Sequence, residues 1–259
     1  MKNITQQFKG ISMNKIIAII NQKGGVGKTT IALNLAKGLA EYKKTLIIDN
    51  DPQANLTSSL ITDYKNLKSN IIDYYKEKSL PKPDIISENL HLIGTNIHLS
   101  TMSDGKLDDI YNLKENIDQI KNDYDYIIID CLPSLGFLNL SALIACNYVL
   151  IPIKPAPYAL AGLQDLFDTV HKVKRRFNQN LNILGIVLNM VEGKKTVIEK
   201  EIEDLLRAEH KNLVFETVIN RAISMVESPT RLQSIMEYDP QGKQSQQFIQ
   251  FLNEVRQRV

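Results

Sequence analysis

Short apolar runs recur along the chain, and most of them are apolar at every position rather than at alternate positions. Strands covered on one face alternate apolar and polar residues, whereas strands buried on both faces are apolar throughout. The pattern therefore predicts a largely parallel sheet that is covered on both sides. The predicted strands span residues 15–21, 45–49, 90–94, 124–130, 148–153, 184–189 and 213–219.

Longer segments with apolar residues at helical spacing separate these runs. Ala32, Leu35 and Leu39, for example, fall on one face of a helix over residues 28–40. Helices that alternate with buried strands are typical of a doubly wound α/β fold. The predicted helices span residues 28–40, 110–122, 138–145, 160–177, 196–210 and 244–258.

Length and composition fit one folded domain. The chain has 259 residues, of which 43% are hydrophobic, and this is enough for a full core. No stretch reaches the roughly 18 apolar residues of a membrane span, and polar residues interrupt the N-terminus. We expect a cytoplasmic protein with a single doubly wound α/β domain over residues 13–259, preceded by a short polar tail at residues 1–12.

Charge and cysteine content narrow the function classes. The formal net charge is only +2, so any contact with nucleic acid needs a local basic patch. Such a patch is favoured in the C-terminal third, where residues 171–259 hold 14 Lys/Arg and 11 Asp/Glu. The two cysteines, Cys131 and Cys146, form no CxxC pair, so we expect no zinc or iron–sulfur site held by this chain alone.

A glycine-rich segment, NQKGGVGKTT at residues 21–30, joins the first predicted strand to the first helix. Glycines let the backbone turn tightly and direct its N–H groups at phosphate oxygens, and the helix dipole favours the same anion. In such a loop Lys28 bridges the β- and γ-phosphates, and Thr29 offers its hydroxyl to Mg²⁺. The expected nucleotide-binding residues are Lys23, Gly24, Gly25, Val26, Gly27, Lys28, Thr29 and Thr30.

Acidic residues follow two of the predicted strands. Asp49 and Asp51 end the second strand, and Asp130 ends the run YDYIIID. Ligands bind at the carboxyl ends of parallel strands, so we expect these carboxylates to converge on the glycine-rich loop. Phosphoryl transfer needs a metal ion and a group that orients the attacking water. We expect Asp130 to hold Mg²⁺ through water, and Asp49 to support the outer shell of the metal.

The glycine-rich segment departs from GxxxxGK[ST], because Gln22 occupies the first glycine position. It resembles instead KGGxGK[ST], the deviant Walker A form of the group that contains ParA, MinD and the nitrogenase iron protein. The further segments DNDPQANLTSSL, YDYIIIDCLPSLG, VLIPIKPAPYALAGL and YDPQGKQSQQF make the chain similar to ParA/Soj partition ATPases over about residues 14–257. The resemblance implies a P-loop fold that binds and slowly hydrolyses ATP with Mg²⁺.

The resemblance also implies roles for particular residues. Lys23 would reach the nucleotide of a partner subunit, so that ATP binding and dimerisation are one event. Lys23, Lys28 and Asp51 would form the catalytic set, with Asp51 positioning the attacking water. Asn189 would contact the adenine. Asn220 departs from the family, which usually has proline at this position, and this leaves the adenine contacts there open.

On the same basis the ATP-bound homodimer would bind double-stranded DNA non-specifically, and a ParB-like centromere-binding protein would stimulate hydrolysis. Contacts to phosphates require only exposed positive charge. We expect association with the nucleoid and no stable association with membranes. The candidate DNA-binding residues are Arg221, Arg231 and Lys243, with Lys194 and Lys195 as further candidates.

Two relatives within the same group supply alternative hypotheses. A MinD-like ATPase would place Phe248, Phe251 and Leu252, which follow helical spacing, on a membrane surface. The DPQAN segment favours instead a C-terminal helix that docks on the core. A cluster carrier similar to the nitrogenase iron protein would need cysteines at a dimer axis, whereas Cys131 and Cys146 lie in apolar segments typical of packing.

Overall fold

A computed structural model describes residues 15–76, 80–157 and 159–259, and the expected polar tail at residues 1–12 lies outside these ranges. Within the described ranges the strands form one eight-stranded sheet. The strands are β1 (Lys15–Ile19), β2 (Thr45–Asn50), β3 (Asp84–Ile85), β4 (Leu90–Ile93), β5 (Tyr126–Cys131), β6 (Tyr148–Ile153), β7 (Asn182–Val191) and β8 (Val214–Asn220). Their order in the sheet is β3-β4-β2-β5-β1-β6-β7-β8.

The sheet is mostly parallel, as predicted. All neighbouring strands run parallel except β3 and β4, which pair antiparallel at one edge. The sequence pattern did not predict β3, because two residues carry no period and Ile85 is 75% exposed. The other strands confirm the predicted runs, with shifts of only a few residues at their ends.

Helices connect the parallel strands and lie on both faces of the sheet. The long helices were predicted nearly to the residue, although 3₁₀ turns replace both ends of the helix predicted at 110–122. Four helices of one or two turns were not predicted, since such short segments show no periodicity. The helices are α1 (Lys28–Ala40), α2 (Asn55–Ser58), α3 (Ile71–Tyr74), α4 (Asn112–Ile120), α5 (Phe137–Ala145), α6 (Ala159–Arg176), α7 (Val197–Glu209), α8 (Ser224–Thr230), α9 (Ile235–Tyr238) and α10 (Lys243–Arg258).

The central strand β1 shows why the strands are apolar throughout. Ile16 and Ala18 pack into a core with α4, α5, α6 and α7 on one face of the sheet. Ile17 and Ile19 pack into a second core with α1 and α10 on the other face. Successive side chains of a strand point to opposite faces, so a strand between two helical layers needs apolar residues at every position.

The C-terminal helix α10 belongs to the second core. Its apolar residues Phe248, Phe251, Leu252 and Val255 are all buried. Full burial of each such side chain contributes about 1.5–3 kcal/mol to stability, so this face of α10 packs stably against the rest of the domain. The face that a MinD-like membrane helix would present to lipid is therefore occupied by the core. None of the described helices is long and apolar enough to span a membrane.

Candidate nucleotide-binding site

The glycine-rich loop lies between β1 and α1, with its backbone in a conformation that glycine favours. Gly25 and Gly27 have φ values of 69° and 85°. A Cβ on Gly27 would also collide with the side-chain amide of Asn189. Gly27 is the residue that precedes α1, whose first turn carries no acidic side chain. The loop therefore combines tight left-handed turns with an exposed positive helix end, the arrangement that binds phosphate.

Lys28 stands inside this loop rather than on the surface. It is only 7% exposed, and its Nζ donates a hydrogen bond to the carbonyl of Lys23 at 3.2 Å. Burial lowers the pKa of the Lys28 ammonium, and the negative charges of Asp130 and Asp51 oppose that shift. A cation that has already lost most of its water is well placed to bind phosphate oxygens, because little further desolvation is required.

Lys23 differs from Lys28 in being exposed. Its backbone N–H donates to Asn21 Oδ1 at 2.9 Å, while Asn21 Nδ2 donates to the carbonyl of Pro152 at 2.8 Å. The Lys23 ammonium reaches the carbonyl of Pro157 at 3.3 Å. The loop is thereby tied to the end of β6, and the second lysine lies at the outer rim of the site.

Asp130 lies at the carboxyl end of β5, opposite Ile19 of β1 and Asp49 of β2 in the register of the sheet. It is 1% exposed, and among the described residues neither of its carboxylate oxygens has a hydrogen-bond partner. Burial, together with the charge of Asp49, raises the pKa of Asp130 well above its ordinary value, although the nearby Thr29 hydroxyl and the Lys28 charge act against the rise. A buried carboxylate without partners is costly unless it binds a cation.

Asp49, in contrast to Asp130, has hydrogen bonds to both of its carboxylate oxygens. Its Oδ2 accepts hydrogen bonds from the backbone N–H and the hydroxyl of Thr57, at 2.8 and 2.7 Å, and its Oδ1 accepts one from the N–H of Asp51 at 3.2 Å. Burial nevertheless raises the pKa of Asp49 to about 6. Its oxygens anchor the start of the loop to α2, so its expected support of the metal shell stays a prediction. The sequence did not predict a role for Thr57, because nothing in the segment DNDPQANLTSSL indicates its contact with Asp49.

Asp51 begins the turn that follows β2 and is only partly buried. Its Oδ1 accepts a hydrogen bond from the N–H of Gln53 at 3.0 Å, and its carbonyl accepts one from Ala54, which has a positive φ of 55°. The negative charge of Asp51 also acts on Lys28. The turn therefore brings this carboxylate to the same edge of the sheet as the phosphate loop.

A pocket of about 210 Å³ adjoins the loop on the side of β7 and β8. Asn189 lines it and fixes the loop, since its Nδ2 donates to the carbonyl of Val26 at 2.8 Å. Much of the wall is apolar, as in many sites that bind flat ligands. Sequence reasoning missed the α8 residues of this wall because that helix was not predicted. Residues that define the pocket include Gly27, Thr30, Asn189, Asn220, Met225 and Val226.

Comparison with known proteins identifies the family. A sequence profile described as "AAA domain" matches residues 14–183. The chain is 36% identical to the sporulation initiation inhibitor protein Soj of Bacillus subtilis (strain 168), covering 94% of this chain and 98% of Soj. It is 35% identical to the chromosome partitioning protein ParA of Myxococcus xanthus (strain DK1622), covering 95% of this chain and 89% of that protein. This chain belongs to the ParA/Soj family of partition ATPases.

The fold of this ParA/Soj-type ATPase also matches solved structures. A putative plasmid partition protein from Borrelia burgdorferi B31, bound to the ATP analogue AMPPNP, superposes with a TM-score of 0.81 at 27% identity. The match covers 95% of this chain and 100% of that protein. The predicted P-loop fold is thus confirmed, and nucleotide binding is an established property of a close structural neighbour.

The basic residues predicted to bind DNA lie at the surface of this ParA/Soj-type ATPase. Arg221 follows β8, Arg231 follows α8, and Lys243 begins α10, and all three are exposed. Arg221 pairs with Glu192 at 3.1 Å, and Lys195 pairs with Glu203, so part of this charge is neutralised within the chain. Their role in binding DNA stays a prediction. The remaining candidate for DNA binding, Lys194, is exposed in the loop after β7.

Both cysteines of the ParA/Soj-type ATPase lie in the core. Cys131 ends β5 and Cys146 follows α5, and each is 1% exposed. Burial raises the pKa of both thiols, so the reactive thiolate form is disfavoured. Each cysteine therefore packs as a small apolar residue, which is the interpretation that the sequence favoured over a role in holding a cluster.

Proposed function

We propose that this chain is an ATP-dependent dimerising switch that binds DNA non-specifically and drives partition of plasmid or chromosomal DNA with a ParB-like partner. The single observation that carries the proposal is the pair of buried charged groups, one in the phosphate loop and one at the end of β5. A buried cation at Lys28 faces the phosphate side, and a buried carboxylate at Asp130 has no hydrogen-bond partner within the described residues. MgATP would give each group a ligand partner, phosphate for Lys28 and the metal ion for Asp130.

The residues present suit a magnesium ion at the end of β5. Mg²⁺ prefers oxygen ligands and keeps several waters, and it is commonly bound through one or two carboxylates together with phosphate oxygens. The unpaired Asp130 carboxylate and the neighbouring Thr29 hydroxyl supply such oxygens, and Asp49 supports them from the adjacent strand. When bound, the ion would neutralise charge on the phosphates.

Hydrolysis in this proposal depends on position more than on basicity. Lys28 binds the β- and γ-phosphates, and Asp51 orients a water toward the terminal phosphate. Asn189 fixes the loop from the adenine side through Val26. The Asp51 carboxylate is partly buried and lies at the edge of the loop. Slow turnover would keep the ATP-bound state long-lived until a partner protein accelerates hydrolysis and release from DNA.

The exposure of Lys23 supports the dimerisation step. Among the described residues its ammonium has one hydrogen bond, at 3.3 Å to the Pro157 carbonyl, and a single such bond can be broken at little cost. We propose that it crosses to the terminal phosphate held by a second subunit, and that the second subunit does the same in return. Nucleotide state and pairing of subunits would then be one equilibrium.

The paired subunits would bind DNA through their C-terminal basic residues, including Arg221, Arg231 and Lys243. Pairing doubles the number of positive charges that can face one duplex, and affinity for phosphates rises steeply with that number. A partner bound at a centromere-like site would stimulate hydrolysis and release the dimer from DNA. Repeated cycles would move or space the cargo, with the protein associated with the nucleoid between cycles.

The test is DNA binding with ATP, with ADP and without nucleotide, over a series of salt concentrations. We expect binding to non-specific duplex DNA only with ATP, and a steep loss of affinity as salt rises. Lys28→Ala should abolish binding of both nucleotide and DNA. Asp51→Ala should retain ATP and stay on DNA, because the bound state cannot be hydrolysed. Equal DNA affinity in all three nucleotide conditions would refute the switch.

A further inference from the structure

We propose that Asn220 and Gln247 form a positioning pair that fixes the wall of the pocket beside the phosphate loop, and thereby sets how much the base of ATP contributes to binding. The inference rests on the proposed function, because it assumes that phosphates bind at residues 23–30. It assigns a role to α10, a helix that lies outside every nucleotide-binding segment of the sequence.

The pocket is placed to receive a base. It borders Gly25, Gly27 and Thr30 on one side, so a nucleotide whose phosphates bind the loop can extend along it. Its other side carries Met225 and Val226 of α8, which give an apolar surface suited to a flat ring. The chain from Asn220, the last residue of β8, to α8 therefore forms the wall that faces the base.

Asn220 ends β8, the last strand at one edge of the sheet. On an edge strand, backbone N–H groups that point away from the sheet have no strand to bind. The N–H of Asn220 donates instead to Gln247 Oε1 at 3.1 Å, and Gln247 Nε2 donates back to Asn220 Oδ1 at 2.8 Å. Both ends of the Gln247 amide are therefore used by a single residue.

The side-chain Nδ2 of Asn220 binds β7 rather than α10. Its Nδ2 donates to the carbonyl of Val191 at 3.1 Å, and the next backbone N–H, that of Arg221, donates to the same carbonyl at 3.0 Å. Asn220 thus joins β7, the end of β8 and α10 at the point where the pocket wall starts. A proline at this position could make neither the backbone bond nor the amide bonds, so the pair depends on the asparagine.

Gln247 is held firmly because α10 is anchored in the core. Phe248 and Phe251, on the same helix, are fully buried and pack edge-to-face. The hydrogen bonds of the pair therefore fix the pocket wall relative to a rigid helix. Removing the Gln247 amide would cut the link between α10 and the end of β8 and leave Asn220 bonded to Val191 of β7. A looser wall would make poorer contact with the base.

The experiment compares two ligands that share phosphates and differ in the base. Calorimetric titration in Mg²⁺ would measure the affinity of Gln247→Ala for ATP and for inorganic tripolyphosphate. We expect ATP to bind roughly three- to tenfold more weakly than to the wild type, the scale of one or two lost neutral hydrogen bonds. Tripolyphosphate should bind with unchanged affinity, because the loop itself is intact.

Two further variants sharpen the comparison. Gln250→Ala, which removes an exposed amide from the same helix, should leave both affinities unchanged. Gln247→Glu keeps an acceptor for the Asn220 N–H and should recover part of the affinity for ATP. Equal weakening of both ligands in Gln247→Ala, or no change in either, would overturn the inference. Failure of the wild type to bind either ligand would instead overturn the proposed function.

Discussion

Two neighbouring carboxylates at the end of the sheet have opposite environments. Asp49 on β2 and Asp130 on β5 are direct partners in the sheet register, and both are buried. Asp49 accepts three hydrogen bonds from Thr57 and Asp51, whereas Asp130 accepts none from the described residues. The same residue type, one strand apart, is held by hydrogen bonds in one place and has free carboxylate oxygens among the described residues in the other.

The difference separates a structural role from a binding role. Burial is costly for both carboxylates, but hydrogen bonds offset that cost at Asp49. At Asp130 the Thr29 hydroxyl and the Lys28 charge offset only part of that cost in the free protein, since the pKa of Asp130 stays well above its ordinary value. Such partial compensation is expected of a group whose partner is a ligand. The contrast predicts that the two residues respond differently to the same substitution by asparagine.

The largest effect should be on ATP turnover. Asp130→Asn removes the charge that we assign to the metal, so kcat with MgATP should fall by about 10²-fold, a typical loss for one group that stabilises developing charge. Asp49→Asn is the matched comparison and should lower turnover less, since that carboxylate is already engaged within the protein and supports the metal only from the adjacent strand. Steady-state release of phosphate would measure both. A turnover of wild-type level in Asp130→Asn would contradict the assignment.

The second effect is on stability without nucleotide, and here Asp49→Asn should have the larger effect of the two variants. Asp49→Asn places an N–H group against donors from Thr57 or Asp51, and we expect the free energy of unfolding to fall by about 2 kcal/mol. Asp130→Asn replaces a carboxyl group whose charged form is disfavoured by burial with a neutral group of similar size, so stability should stay constant or rise. Urea unfolding of the two variants would show this. Equal losses would mean that both carboxylates are structural.

The smallest effect is on the pH dependence of stability. The pKa of Asp49 rises from 3.8 to about 6 on folding, so the folded state holds the proton more strongly. This contribution is complete below pH 3.8 and is lost as the pH rises through about 6. Between pH 5 and pH 7 the wild type without nucleotide should therefore lose about 1 kcal/mol relative to Asp49→Asn. A difference independent of pH would show that Asp49 does not titrate in this range.

The sequence predicted the parts of this site that are encoded locally. The loop at residues 21–30 and helix α1 follow from glycine spacing and helical periodicity over a single segment. Asp130 was placed at the site because an apolar strand precedes it, and strand ends meet at one edge of a parallel sheet. These features depend on neighbours along the chain, so a pattern is enough to find them.

The rest depends on contacts between distant segments. Thr57 became a partner of Asp49 only because a four-residue helix, α2, turns its hydroxyl toward β2. Gln247 meets Asn220 across 27 residues, because α10 docks along the edge strand β8. No periodicity marks either residue. The sequence located a departure from the family at Asn220, but only the structure shows which group replaces the missing proline.

The central claim is that the exposed lysine of the loop couples nucleotide state to pairing of subunits. Its most direct test is the molecular mass in solution of Asp51→Ala with MgATP, compared with the same protein in ADP and with the Lys23→Ala, Asp51→Ala double variant in MgATP. We predict a dimer in the first case only, while the double variant still binds ATP. Monomers in all three conditions, or a dimer that persists without Lys23, would contradict the account.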